Sequence, residues 1–308
     1  MKKQIGAMAK LISSMLIFGS IGLLVRYIPV PSSVVAFVRA FVGVIFLLIV
    51  LMVKGTKLSL PAIKNNLVYL SLSGIAIGFN WILLFESYRY TSVAVSTLCY
   101  YMAPIIVTLL SPLILKEKIT AKRLLCVLAA LGGMALISGI FKSGSLQSGE
   151  TRGIVLGLSA AVLYATVILL NKQLRCIGAM DRTVCQLLVA AVILLPYNLL
   201  SCDIASVRVT PSGWILLAVA GVIHTGLAYY LYFGSMEHLS GQSIALASFI
   251  DPVVAVLISI TILAEPFDVY TVVGAAAILG AAVISELPMK KRYPVDHNRV
   301  EEVTYEKN

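Results

Sequence analysis

Asp251 stands in the apolar run SIALASFIDPVVAVLISITIL (243–263), about nine residues into a hydrophobic segment and directly before Pro252. A carboxylate this deep in hydrocarbon is expensive to keep, which makes it a functional candidate by default. The proline after it removes a backbone donor and frees a carbonyl, so a helix kink is expected there. A broken helix beside a carboxylate is where membrane proteins place a substrate or an ion. The competing reading is a carboxyl that is protonated, or tied to a neighbouring helix. His224, in VIHTGLAYYLYF (222–233), lies mid-run in another such segment. It is a candidate partner for Asp251 or a proton shuttle, with an interhelical hydrogen bond as the structural alternative. Arg39 and Glu86 fall at similar depth near one end of their runs, which predicts a mutual ion pair or a pair at the mouth of a pathway. Asn80, Trp81, Tyr88, Tyr100, Tyr101, Tyr164, Tyr229, Tyr230 and Tyr232 add aromatic and amide surface. Such surface suits an organic molecule with an apolar part, or a cation over ring faces. An interfacial aromatic belt is the alternative, and Tyr88 and Trp214 fit it best.

The elements that carry these residues follow from composition. Of 308 residues, 59% are hydrophobic and 12% charged, and the net charge is +10. A soluble domain holds about twice that share of charge. An ordinary globular enzyme, a disordered chain and a nucleic-acid binder are therefore excluded, and the excess Lys and Arg read as loop charges of a membrane protein. Ten apolar runs are long enough to span a bilayer, near 9–28, 33–53, 67–88, 93–115, 122–141, 153–173, 183–200, 213–234, 243–264 and 270–287. All are expected to be helices, because a helix satisfies its own backbone in lipid. The first run follows Lys2, Lys3 and Lys10, yet it is too long for a secretory signal and no cleavage site follows.

With the N-terminus cytoplasmic, 18 of the 24 Lys and Arg fall inside; the exceptions are Arg26, Arg39, Arg89, Lys142, Arg152 and Arg208. Both termini are therefore expected in the cytoplasm, in a multi-pass protein of the plasma (inner) cell membrane. Residues 142–152 read as a polar external linker, and 288–308 as a charged cytoplasmic tail without packed structure. Cys99, Cys126, Cys176, Cys185 and Cys202 form no CxxC pair, and the three histidines have no metal spacing. The sequence calls for no cofactor and no metal. The expected partners are a small molecule, the lipid bilayer and, as a candidate coupling ion, a proton.

The chain also repeats itself. Shifted by 148 positions, residues 85–118 lie over 233–266 without a gap. Ser87 meets Ser235, Ser92 meets Ser240, Pro104 meets Pro252, Ser111 meets Ser259 and Glu117 meets Glu265. A weaker echo joins 12–26 to 158–172. Each half then holds five spans, and an odd number inverts the second half in the membrane. The domains expected are 1–141 and 153–287, joined by 142–152. Glu117 and Glu265 sit at span ends and are expected to hold the adjoining loop. Gly74-xxx-Gly78 and Gly153-xxx-Gly157 are expected to pack helices closely.

These features resemble the drug/metabolite transporter superfamily and its EamA-type members over roughly residues 8–287. The resemblance rests on FGSIGLLVR (18–26), on PSSVVAFVRAFVG (31–43), and on a proline followed about thirteen residues later by Glu, at Pro104–Glu117 and Pro252–Glu265. It implies ten helices in two halves around a central cavity. One departure stands out: the second half has Cys185-Gln186 where the first has Arg39. The expected function is secondary-active or facilitative export of a small organic metabolite, such as an amino acid or a related compound, by alternating access. The alternative is a polytopic membrane enzyme acting on a lipid or prenyl substrate. Such an enzyme needs clustered carboxylates or a nucleophile with its base. No DxxxD or DDxxD pair occurs, so catalysis is not expected.

Overall fold

The computed structural model of the chain describes residues 2–114, 119–137, 148–202, 208–236, 238–266 and 268–287. The described residues form helices and no strand. In order they are α1 (Lys2–Gly19), α2 (Ile21–Arg26), α3 (Ser32–Lys54), α4 (Leu60–Asn65), α5 (Leu67–Ser87), α6 (Val93–Tyr100), α7 (Ala103–Ile114) and α8 (Ala121–Ile137). The second half continues with α9 (Ser148–Asn171), α10 (Ala179–Ser201), α11 (Pro211–Gly221), a π-helical turn Val222–Leu227, α12 (Ala228–Met236), α13 (Gly241–Ala247), α14 (Ile250–Thr261) and α15 (Val269–Glu286).

Among the described residues, seven helical stretches are long and apolar enough to cross a membrane. Ten were expected, and the shortfall has local causes. The ninth run is interrupted between α13 and α14, leaving Ile250–Thr261 as a short apolar helix, and the tenth, Val269–Ser285, is also a short one. α8 has 17 residues, and the expected continuation to 141 lies outside the described residues. α9 begins at Ser148, so Ser148–Arg152 are helical rather than linker. The rest of that linker, the tail 288–308 and Glu117 also lie outside the described residues.

Helix interruptions fall where local chemistry favours them. α1 and α2 part at Gly19-Ser20, a Gly/Ser kink pair. The missing side chain matters, because a Cβ on Gly19 would sit 2.5 Å from the Asp251 carbonyl oxygen and 2.7 Å from Val254. α6 ends four residues before Pro104, and α13 ends five residues before Pro252. The same serine begins each of these short helices. Ser92 accepts from the Val95 amide and Ser240 from the Ser243 amide, each an N-cap that satisfies a first-turn donor. Ser87 and Ser235 likewise both turn their hydroxyls back to the carbonyl three residues earlier.

Packing joins the halves crosswise. α1 lies against α12 and α14, while α9 lies against α5, α6 and α7. α3 packs on α10, and α15 on α8. The expected small-residue contacts form: Gly74 faces Val189 and the Gln186 carbonyl, Gly78 faces Leu194, Gly153 faces Thr91 and Gly157 faces Cys99. Large apolar side chains such as Met52, Val53 and Leu200 remain exposed on the outer faces, as a lipid-facing surface requires.

Candidate functional site

The interruptions enclose a cavity of about 470 Å³. It is lined from α1, α3, α5, α6, α7, α9, α10, α12 and α14, and by the two breaks themselves. At its centre the break of one half meets that of the other. The Tyr101 hydroxyl lies 3.0 Å from Asp251 Oδ2 and 3.2 Å from the Ser248 carbonyl oxygen. Pro252 has no N–H, so it cannot supply the helical bond to that carbonyl four residues back. The phenol stands in for the missing donor. With one proton it serves one acceptor at a time, so the two oxygens compete for it.

Aromatic rings form most of the remaining wall. Tyr164 stacks on Tyr100 at 5.0 Å, and Tyr229 meets Phe18 edge-on at 5.3 Å. Tyr164 keeps 38% of its surface accessible. Asn80 is fixed at both ends, its Nδ2 donating to the Ala160 carbonyl at 2.6 Å and its Oδ1 accepting from Tyr100 at 3.3 Å. Arg39 enters from α3, nearly buried. Its guanidinium carbon lies 4.3 Å above the Trp81 ring centroid and 5.2 Å from that of Phe85. Nε donates to Thr225 Oγ1 at 3.1 Å.

Two pairings expected from the sequence are corrected. His224 does not reach Asp251. It sits in the π-helical turn, shares a 3.1 Å hydrogen bond with Ser20, and is not among the side chains lining the cavity. The π register points it to its own helix and α1, and its Nδ1 lies 3.4 Å from the Val219 carbonyl oxygen. Glu86 does not pair with Arg39. It accepts from Ser32 at 2.7 Å and faces Arg89 at 3.6 Å, a partner three residues on and nearer in chain and space. Tyr88, expected in an interfacial belt, is buried beside Phe85 and lines the cavity. Trp214 does lie exposed at the start of α11. Tyr230 faces Lys54 rather than the cavity.

The cavity also uses residues that carried no signal in the sequence. Arg182 reads there as one more loop charge, yet it lines the cavity together with Asn171, Thr183 and Gln186. Gln186, noted only as a departure from Arg39, donates to Ser73 at 2.6 Å and to Asn171 at 2.7 Å. The site thus offers a carboxylate on one wall, a ring-stacked guanidinium on another, phenols between them and a second cation, Arg182, at one end.

The EamA-like transporter family matches residues 5–139 and, a second time, 151–286. The uncharacterized transporter YxxF of Bacillus subtilis (strain 168) is 30% identical over 284 residues, covering 92% of this chain and 90% of that protein. Protein PecM of Dickeya dadantii (strain 3937) is 26% identical over 219 residues, covering 69% and 71%. A solved crystal structure superposes with a TM-score of 0.62 at 16% identity over 91% of this chain and 96% of the other, a likeness of fold. The family matches cover both crosswise-packed halves and all the residues lining the cavity: the chain belongs to the EamA-like transporter family.

Proposed function

We propose that the chain is a secondary-active or facilitative transporter that exports a small organic metabolite, an amino acid or related compound, by alternating access. The observation that carries this reading is the cavity at the two helix breaks, with Asp251 facing it and Tyr101 bridging the halves. Its volume lies in the range of small-molecule sites. A carboxylate for an ammonium group, a guanidinium for a carboxylate and rings for an apolar part match the three chemistries of an amino acid.

On this reading the chain forms ten spans in two inverted five-helix repeats, 1–141 and 153–287. The matched breaks, the matched serine caps and the crosswise packing support it. The excess of positive charge near Lys54, Arg175 and Arg182 supports a cytoplasmic face there, with both termini on that side of the plasma membrane. Arg182 and Asn171 then mark the cytoplasmic mouth. In the secondary-active form of this reading a proton is the coupling ion, carried at Asp251.

The test is metabolite profiling of bacterial cells that express the protein or carry an empty vector, in medium and in cytosol. Enrichment of an amino-bearing metabolite in the medium is expected, and acidifying the medium is expected to change its rate. Enrichment in the cytosol reverses the direction, and a rate indifferent to the proton gradient makes the protein a facilitator. Equal profiles with the protein confirmed in the membrane defeat the reading for that host's metabolites.

A further inference from the structure

At the end of the bundle where α2 stops and α6 starts, one buried carboxylate joins the two family-matched halves. Glu265 was expected to hold its own neighbouring loop; it bonds Ser259 of its own half and also reaches across to the other. Its Oε2 accepts from the Val93 amide at 2.9 Å, in the first turn of α6. The same oxygen accepts from Ser259 Oγ, which in turn lies 3.4 Å from the Ala94 amide. Its Oε1 lies 3.4 Å from Arg26 Nη2, and Arg26 also donates to the Tyr88 carbonyl. The Glu265 side chain is 8% exposed. Arg26, Tyr88, Val93 and Ala94 belong to one half, and Ser259 and Glu265 to the other.

The backbone is set to deliver this carboxylate. Ala264, just before it, adopts a left-handed φ of 49°, which a residue with a Cβ takes only when its surroundings require it. The turn closes with the Glu265 amide donating to the Ser259 carbonyl at 3.0 Å. A carboxylate on the first amides of a helix is favoured both as a cap and by the helix dipole. Tyr88, whose carbonyl Arg26 holds, and Thr97, one turn along α6 from Val93, line the cavity, so the contact lies at that end of it. At the other end Arg182 and Asn171 are half-exposed.

We propose that Glu265 is a reversible latch, closing the cavity at this end in the state seen and releasing the α6 amides and Arg26 when the cycle opens it. This rests on the alternating-access reading. A latch of hydrogen bonds and one ion pair suits that work better than an apolar seam, because water satisfies the same groups when it opens.

The test places a thiol probe at Thr97→Cys in the full-length protein with its five native cysteines replaced. Labelling by a membrane-impermeant reagent is read from each membrane face separately. Native Cys176, exposed near the opposite end, reports in a separate sample which face is which. Glu265→Gln keeps the side-chain size and removes the charge, and Arg26→Gln is the second variant. Both are expected to raise labelling from the face opposite Cys176 about tenfold, the effect of removing one of the two charges that hold the contact. Labelling from the Cys176 face is expected to fall. Unchanged labelling with normal amounts of folded protein overturns the latch, and so does a rise from both faces. If Cys176 proves to be extracellular, the topology fails while the latch is still judged by the face opposite it. No transported substrate is needed for either result.

Discussion

The first-half break at Tyr101-Met102 and the second-half break at Ser248-Phe249 share a serine cap, a short leading helix and a following proline, but differ in charge. Asp251 stands before Pro252, whereas Ala103, fully buried, stands before Pro104. A second asymmetry accompanies it. Arg39 of α3 bonds Thr225 and stacks on Trp81, while Gln186 of α10, at the related place, bonds Ser73 and Asn171. Duplication thus accounts for the shape of the site and divergence for its chemistry. A symmetric cavity would bind a symmetric charge pattern. This one has its carboxylate from one half and its buried guanidinium from the other, which suits a molecule with two different poles.

Removing the charge that distinguishes the two breaks is expected to have the largest effect. Asp251→Asn keeps the shape and a hydrogen-bond partner for Tyr101, so the protein is expected to reach the membrane in normal amount. Transport is expected to fall by about a hundredfold, the scale of a lost charge-assisted contact of about 3 kcal/mol. Transport within a few-fold of the wild type would leave the asymmetry without a role. Closing the break itself is the next step down. Pro252→Ala restores an amide that can bond the Ser248 carbonyl and compete with Tyr101. The unfolding temperature is expected to rise and transport to fall about tenfold, on the scale of one hydrogen bond in the wrong place. Pro104→Ala, at the uncharged break, is expected to cost less.

The α3 and α10 positions separate chemistry from packing in the same way. Arg39→Lys removes the planar group stacked on Trp81 and the Nε donor to Thr225. Transport is expected to fall several-fold with folding intact. Gln186→Ala leaves Ser73 and Asn171 short of a partner. Stability is expected to drop by about 1–3 kcal/mol, the cost of unsatisfied buried groups. Thermal unfolding in detergent and transport assays on both variants read the two effects apart; loss of transport without loss of stability in Gln186→Ala would make it a binding residue.

Much of the fold was legible because hydropathy and repetition survive in a single chain. α3 and α5 fall within a residue of the expected runs, and the aligned prolines announced both breaks. Asp251, Tyr101, Tyr164, Asn80, Trp81, Tyr229 and Arg39, singled out in the sequence as polar or aromatic residues within apolar runs, all line the cavity. The pairings were not legible, because depth along a run does not fix the direction around the helix. Arg39 and Glu86 share a depth but face different neighbours, and the π-helical turn moved His224 off the register that would aim it at Asp251. Arg182 was hidden for another reason. A cation at a helix start looks the same in sequence whether it faces lipid headgroups or a cavity mouth.

Tyr101 offers the smallest and sharpest comparison, because its partner position in the second half is Phe249, a ring without the hydroxyl. Tyr101→Phe therefore makes the two breaks alike at this point while leaving the ring in place. It removes the donor that the Ser248 carbonyl and Asp251 share. The loss of one neutral donor is worth about 1 kcal/mol, or about fivefold. If the phenol orients the carboxylate, the apparent substrate affinity is expected to weaken by that factor while the maximal rate changes little. If it relays the coupling proton, the maximal rate is expected to fall and the dependence on external pH to flatten. Measuring initial transport rates across substrate concentration at two pH values distinguishes the two roles. An unchanged profile would reduce the contact between the breaks to packing, and leave Asp251 to act without help from the first half.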